Sequence, residues 1–262
     1  QAIEKNGYQL EYIGNVYKLR DQLVHDTFNC DLIFNIAEGF GSRNREALLP
    51  SLLELYKIPY TASDTYGMSI NLNKYHTKVL TNSIGVPIPK GICFDTVTRE
   101  ITNEIRTLGF PFVLKPNCEG GSMGLYLIHS IDEFINKAEF LINNYSFELL
   151  AEEYIGGTEI TVPIIGNGEN IEALGVVTIL NEDGTNISLY NNSLKQVDNV
   201  INTTKFKYEN DLKEKIMNYS INIHKFFKLR DYSRMDFRIS DDGKPYFLEI
   251  NTMPSLCRDC SF

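Results

Sequence analysis

Two short runs near the C-terminal end constrain this chain most. Residues 232–239 and 245–250 alternate like strands and flank Asp241-Asp242-Gly243, a sequence that turns one strand back on its neighbour. In a strand, residues two apart share a face. Arg234 and Asp236 therefore point one way on the first run, as do Glu249 and Asn251 on the second. If the runs pair, two carboxylates, an amide and a guanidinium converge. Hard oxygen donors of this kind suit Mg²⁺, which favours octahedral oxygen and keeps several waters. Two carboxylates can also share two Mg²⁺ ions bridged by phosphate oxygens. An isolated Asp and Glu would read instead as ion pairs on a solvated hairpin. The unbroken run Leu248-Glu249-Ile250-Asn251-Thr252-Met253-Pro254 favours the metal.

The rest of the chain gives this hairpin its setting. Strand patterns at residues 7–13, 30–36 and 58–61 surround a helical stripe at 45–56, which implies a parallel sheet with crossover helices. A helical pattern runs over 65–83 and ends at Gly85-Val86-Pro87. Residues 88–94 read as extended, 100–108 and 131–142 as helices, and 112–115, 125–128 and 149–154 as strands. Strands at 159–165 and 171–179 follow, then a polar stretch over 181–205. That stretch lacks periodicity and exceeds ordinary loop length, which favours a lid or a disordered segment. The longest helix is expected at 210–227. The whole is α/β in class, with soft boundaries that divide it into residues 1–73, 74–154 and 155–262.

Two further sites carry chemistry. Lys115 ends an apolar strand and opens Asn117-Cys118-Glu119-Gly120-Gly121-Ser122-Met123-Gly124. Glycines let backbone N–H groups approach phosphate oxygens, and the lysine adds a point charge. No Gly-Lys-Ser/Thr follows, so this is not a P-loop, and alone it reads as a hairpin turn. Glu152-Glu153-Tyr154-Ile155, followed by Glu159, could offer backbone groups to an adenine edge and a carboxylate to ribose. Alone it reads as a solvated strand end.

Composition excludes some partners. There are 25 Lys and Arg against 34 Asp and Glu, a net charge of −9, so no basic surplus exists for nucleic acid or an acidic membrane. A small anion needs only a few placed cations. The five cysteines form no disulfide framework and read as free thiols in a reducing cytoplasm, with Cys257 and Cys260 as incidental neighbours. The four histidines show no ligand spacing, and no apolar run approaches a membrane span.

Taken together and in order, Lys115 with its glycine loop, residues 152–159, the Ser233-Arg234-Met235-Asp236-Phe237 strand and the Leu248–Pro254 run resemble the ATP-grasp superfamily. The D-alanine–D-alanine ligase branch is the nearest likeness, supported by Ile58-Pro59-Tyr60-Thr61, Asn73-Lys74 and Val86-Pro87. The resemblance implies an α+β ATP-grasp fold: an N-terminal parallel-sheet subdomain and two α+β subdomains that clasp ATP. It implies an ATP-dependent carboxylate–amine ligase working through an acyl phosphate, with a place in peptidoglycan biosynthesis. By the same likeness, Lys74 and Lys115 contact ATP phosphates. Glu119, Gly120, Gly121, Ser122, Met123 and Gly124 cover them, Ser122 with a catalytic role. Glu152, Glu153, Tyr154 and Ile155 line the adenine pocket, and Glu159 holds the ribose. Asp236, Glu249 and Asn251 bind two Mg²⁺ ions, for which Mn²⁺ can substitute. Arg234 stabilises the oxyanion, and Tyr190 and Lys195 belong to a mobile loop from which Lys195 reaches the γ-phosphate. The implied partners are small amino-acid substrates and a second copy of the chain in a homodimer.

Departures from the family pattern cluster on the substrate side. A His-Gly segment is replaced by residues 36–46, which bring Glu38, Arg43 and Arg45. Gly121 stands where a Ser is common, Gln196 where a Tyr follows the loop lysine, and Cys260, beside Ser261, where a substrate-binding Ser aligns. Glu38, Arg43, Tyr190, Cys260 and Ser261 are the substrate candidates, Arg43 and Arg45 because guanidinium forks suit carboxylates. These changes leave open a ligase for another amino acid or dipeptide, or a nucleotide-binding pseudoenzyme. The first strand and last helix of such ligases are expected to be missing.

Overall fold

The computed structural model describes residues 2–145, 148–187 and 200–256. Helices α1 (Ala2–Lys5), α2 (Val16–Val24), α3 (Leu48–Tyr56), α4 (Thr65–Leu72) and α5 (Lys74–Ser83) fill the first third. Strand β1 (Gly91–Phe94), α6 (Arg99–Ile105), β2 (Phe112–Pro116), β3 (Tyr126–Ile128), α7 (Ile131–Asn144) and β4 (Leu149–Glu153) form the middle. Then come β5 (Thr158–Ile165), β6 (Glu172–Ala173), β7 (Val177–Asn181), β8 (Val200–Thr203), α8 (Asn210–Phe226), β9 (Tyr232–Ile239) and β10 (Pro245–Asn251).

The strands build two antiparallel sheets. One has the order β1-β4-β2-β3, the other β10-β9-β5-β7-β8 with β6 against β5. The first is covered by α7, whose start is set locally: Ser130 Oγ accepts from the Glu133 amide at 3.2 Å, and Glu133 accepts from the His129 amide at 2.9 Å. Phe134, Ala138 and Leu141 then fall on one face and pack against Phe112, Leu114 and Leu149. The second sheet is covered by α8, whose Ile216 and Ile223 meet Ile160, Val162, Met235, Phe237 and Phe247. Among the described residues, no helix is long and apolar enough to cross a membrane.

Several elements depart from the sequence expectation. The single helix over 65–83 is two helices, broken at Asn73 (φ −83, ψ 99), whose side chain accepts from the His76 amide at 2.9 Å and caps α5. Hydrophobic periodicity continues through the break, so only the capping residue marks it. The expected N-terminal parallel sheet is reduced, among the described residues, to one bridge between Ile33 and Tyr60. Residues 7–13 form no strand, because their alternating Tyr8, Leu10 and Tyr12 find no partner and stay exposed. The strand expected at 171–179 is split into β6 and β7 around Gly175, whose φ is +148. Residues 200–203 of the polar stretch pair as β8 with β7.

Candidate active site

The β9–β10 hairpin forms as expected, with one irregularity that decides the chemistry. Tyr246 pairs with Arg238 and Phe247 with Phe237, but Glu249 pairs with Asp236 and Asn251 with Arg234. Leu248 is the extra residue of a β-bulge. In unbroken register Leu248 would oppose Asp236, and Glu249 would fall beside Met235 on the apolar face. The bulge turns both carboxylates to one side.

Asp236 is nearly saturated. It accepts from Arg234 Nε at 2.8 Å and Nη2 at 2.9 Å, from Asn251 Nδ2 at 2.8 Å and from Thr161 Oγ1 at 2.7 Å. Thr161 lies opposite it on β5 and escaped the sequence reading, where a lone threonine in an apolar strand carries no signal. Glu249 lies 2.5 Å from Lys74 Nζ at the start of α5. Burial would raise the Glu249 pKa, but Lys74 first and Lys115 next hold it well below the usual carboxylate range. Burial likewise opposes the Lys74 charge and is outweighed by Glu249, so its pKa is raised. Among the described residues, no three His, Cys, Asp or Glu gather as a metal cage. The oxygen set of Asp236, Glu249 and Asn251 still fits Mg²⁺, which needs only one or two carboxylates when phosphates and waters complete the shell.

A second cluster adjoins the first, close enough for its charges to act on Lys74 and Glu249. Glu152 on β4 is buried between two lysines: Lys78 donates to Oε1, and Lys115 Nζ lies 2.5 Å from Oε2. Lys78 is a second residue that the sequence reading missed. It sits four positions after Lys74 on α5, hence on the same helix face, and that spacing was a usable signal. Burial pushes the Lys78 pKa down to about 7, whereas the two lysines together overcome burial and lower that of Glu152. Further along, Glu153 accepts from the Lys90 amide at 3.4 Å. Tyr154 lies under Arg238, 5.3 Å from the ring centroid, and Glu159 Oε2 is 4.0 Å from Arg238 Nε. Ile155 is buried.

The glycine loop joins β2 to β3. Its stem is tied to α5: the Asn117 carbonyl accepts from the Lys74 amide at 3.0 Å, and its Oδ1 accepts from the Tyr75 amide at 2.9 Å. Its tip is a tight turn in which the Met123 amide donates to the Gly120 carbonyl at 3.2 Å. Gly121 (φ +64) and Ser122 (φ +61) are both left-handed, the pattern of a primed hairpin turn. Gly124 (φ +68) packs so closely that a Cβ would lie 2.9 Å from Leu141 and Pro116.

Of the substrate candidates, Glu38 and Arg43 lie among the described residues. Glu38 is exposed, and its charge acts on the half-buried Glu46. Arg43 lines a cleft of about 210 Å³ with Tyr66, Asn73, His76 and Cys118. Arg45 is not an exposed fork for a substrate carboxylate but a buried side chain turned towards the glycine loop. Tyr190, Lys195, Gln196, Cys257, Cys260 and Ser261 lie outside the described residues.

Two antiparallel sheets, with a lysine-bearing helix and a glycine loop facing an acidic hairpin, define an ATP-grasp fold. The profile described as "D-ala D-ala ligase C-terminus" matches residues 80–262, and the chain belongs to this family. It is 32% identical over 216 residues to the D-alanine–D-alanine ligase of Aquifex aeolicus, covering 82% of this chain and 70% of that one. It is also 32% identical over 226 residues to an uncharacterized Sinorhizobium fredii protein, y4sG, covering 86% of this chain and 66% of that one. The chain thus spans about two thirds of the length of these relatives. The crystal structure of D-alanine–D-alanine ligase from Bacillus anthracis complexed with ATP superposes with a TM-score of 0.73 at 25% identity, covering 92% of this chain and 73% of that one.

Proposed function

We propose that the chain is an ATP-dependent carboxylate–amine ligase acting on D-alanine in the cytoplasm, as a homodimer, through an acyl phosphate. The carrying observation is the 2.5 Å contact between Lys74 and Glu249, which joins the lysine helix to the acidic hairpin. Phosphoryl transfer needs charge neutralisation and alignment more than a protein nucleophile, and lysines, glycines and acids are what converge.

Each cation is poised on an acid of the site itself. A polyphosphate entering under the glycine loop would draw Lys115 from Glu152 and Lys74 from Glu249, while loop amides bind its oxygens. Mg²⁺ between Asp236, Glu249 and Asn251, one ion or two, would neutralise phosphate charge, and Mn²⁺ could substitute. Arg234, aligned by its two contacts to Asp236, would face the oxyanion formed when an amine attacks the acyl phosphate. Loss of one such donor typically costs ~3–4 kcal/mol of transition-state stabilisation. Glu159, Tyr154 and the backbone of residues 153–155 would hold the nucleoside, and residues around Lys195 would close the site against hydrolysis.

ADP release by the full-length protein, assayed with D-alanine, D-serine and a panel of other amino acids, tests the reading. Release is expected with at least one acid, and D-alanine is the first choice. No stimulation by any carboxylic acid overturns the ligase assignment. Asp236→Asn should abolish turnover in protein that is still folded at the assay temperature, although loss of the Arg234 pair should lower its unfolding midpoint; retained turnover overturns the metal assignment. A different acid or amine is the second reading, favoured by the Arg43 cleft beside Cys118, and the same panel identifies it.

A further inference from the structure

Arg45 precedes both sheets in the chain, yet its guanidinium is 6% exposed and lies against the glycine loop. Nη1 donates to the Cys118 carbonyl and stands 3.9 Å from Glu119 Oε2. Nη2 donates to Glu46 Oε1 at 3.3 Å, and a Cβ on Gly120 would lie 3.4 Å from it. The guanidinium therefore underlies three consecutive loop residues. Glu46 continues the connection: its other oxygen accepts from Thr252 Oγ1 at 3.4 Å, directly after the proposed metal ligand Asn251. On the far side, Gly39 (φ +67) packs against the Arg45 backbone so closely that a Cβ would sit 2.9 Å from its carbonyl oxygen.

One pair, a buried Arg45 and a half-buried Glu46, thus ties three segments together: the chain ahead of the sheets, the stem of the glycine loop and the end of β10. A planar fork can bridge a carbonyl and two carboxylates at once, whereas an ammonium on a flexible stem cannot hold that geometry. We propose that Arg45, braced by Glu46, is a positioning residue that sets the distance between the glycine loop and the acidic hairpin. The inference rests on the reading of that loop as an ATP-phosphate cover, and it assigns Arg45 no contact with substrate.

The test compares Arg45→Gln and Arg45→Lys with wild type by ATP affinity, steady-state kinetics and hydrogen exchange of the amides at 119–124. Loss of a charge-assisted contact of this kind corresponds to about a tenfold effect. Arg45→Gln should raise the KM and Kd for ATP about tenfold and speed loop exchange, with the amino-acid KM little changed. Arg45→Lys should fail to restore either, and Glu46→Gln should move both in the same direction by less. Should Arg45→Gln not fold, Arg45→Lys and Glu46→Gln carry the comparison. A selective rise in amino-acid KM overturns the inference in favour of substrate binding. Unchanged ATP affinity with unchanged loop exchange overturns it in favour of a purely structural role. Wild-type protein that binds no ATP defeats the functional reading, and loop exchange alone then decides whether Arg45 holds the loop.

Discussion

Lys78 and Glu152 show what burial does to a single ion pair. Each side chain is 3% exposed, and the lysine's charge survives near neutrality only because the carboxylate is beside it. Removing Glu152 strands Lys78, which typically costs ~3–5 kcal/mol, whereas removing Lys78 leaves Glu152 its contact with Lys115. Glu152→Gln should therefore destabilise the protein by about that amount in urea unfolding, and adding Lys78→Met should recover much of it. If the double variant is as unstable as the sum of the single ones, the pair is not the unit described. Glycines give a second residue-scale contrast. A Cβ on Gly121 would have nothing within 4 Å, so Gly121→Ala should cost only the ~1–2 kcal/mol of a left-handed alanine. At Gly157 (φ +95) a Cβ would collide with the Ile239 carbonyl oxygen, so Gly157→Ala must move backbone and should cost markedly more by the same measurement. The sequence displayed all four residues, but only their neighbours distinguish them.

At the scale of elements, α8 is fastened to β9 through a histidine. His224 is fully buried, and its Nδ1 lies 2.8 Å from Ser233 Oγ. Burial lowers its pKa to about 4, against 6.5 for the ordinary group. The unfolded chain therefore binds more protons between those values. This contribution is complete above pH 6.5 and is lost as pH falls towards 4, amounting to up to ~3 kcal/mol. Urea midpoints measured across that range should fall with acid, and His224→Gln should flatten the fall; an unchanged slope would contradict the assignment. Elements with strong local signals were legible: α7, α8 and the β9–β10 hairpin. The break between α4 and α5 was not, because periodicity is blind to a cap inside a continuous stripe. The strand expected at 7–13 was overread for the converse reason, since alternation without a partner strand does not make a sheet.

Across the whole molecule, the candidate site is assembled from positions far apart in the chain. Lys74 reaches Glu249, Lys78 reaches Glu152, and Glu46 reaches Thr252. A ligand that binds this assembly and not the unfolded chain should stabilise it, by ~2.7 kcal/mol at a hundredfold excess over Kd. ATP with Mg²⁺ should accordingly raise the thermal midpoint of wild type, and much less that of Asp236→Asn. An equal shift in both would separate nucleotide binding from the acidic hairpin. The sequence by itself determined the kinds of groups present, their order and the family to which they point, because those depend on residue type and short spacing. It could not determine that Leu248 bulges, that Glu249 thereby joins Asp236, or that Arg45 turns inward. Those outcomes depend on which strand faces which and on whose charge is buried beside whose. Register and burial are properties of the packed chain, so only the tertiary structure decides them.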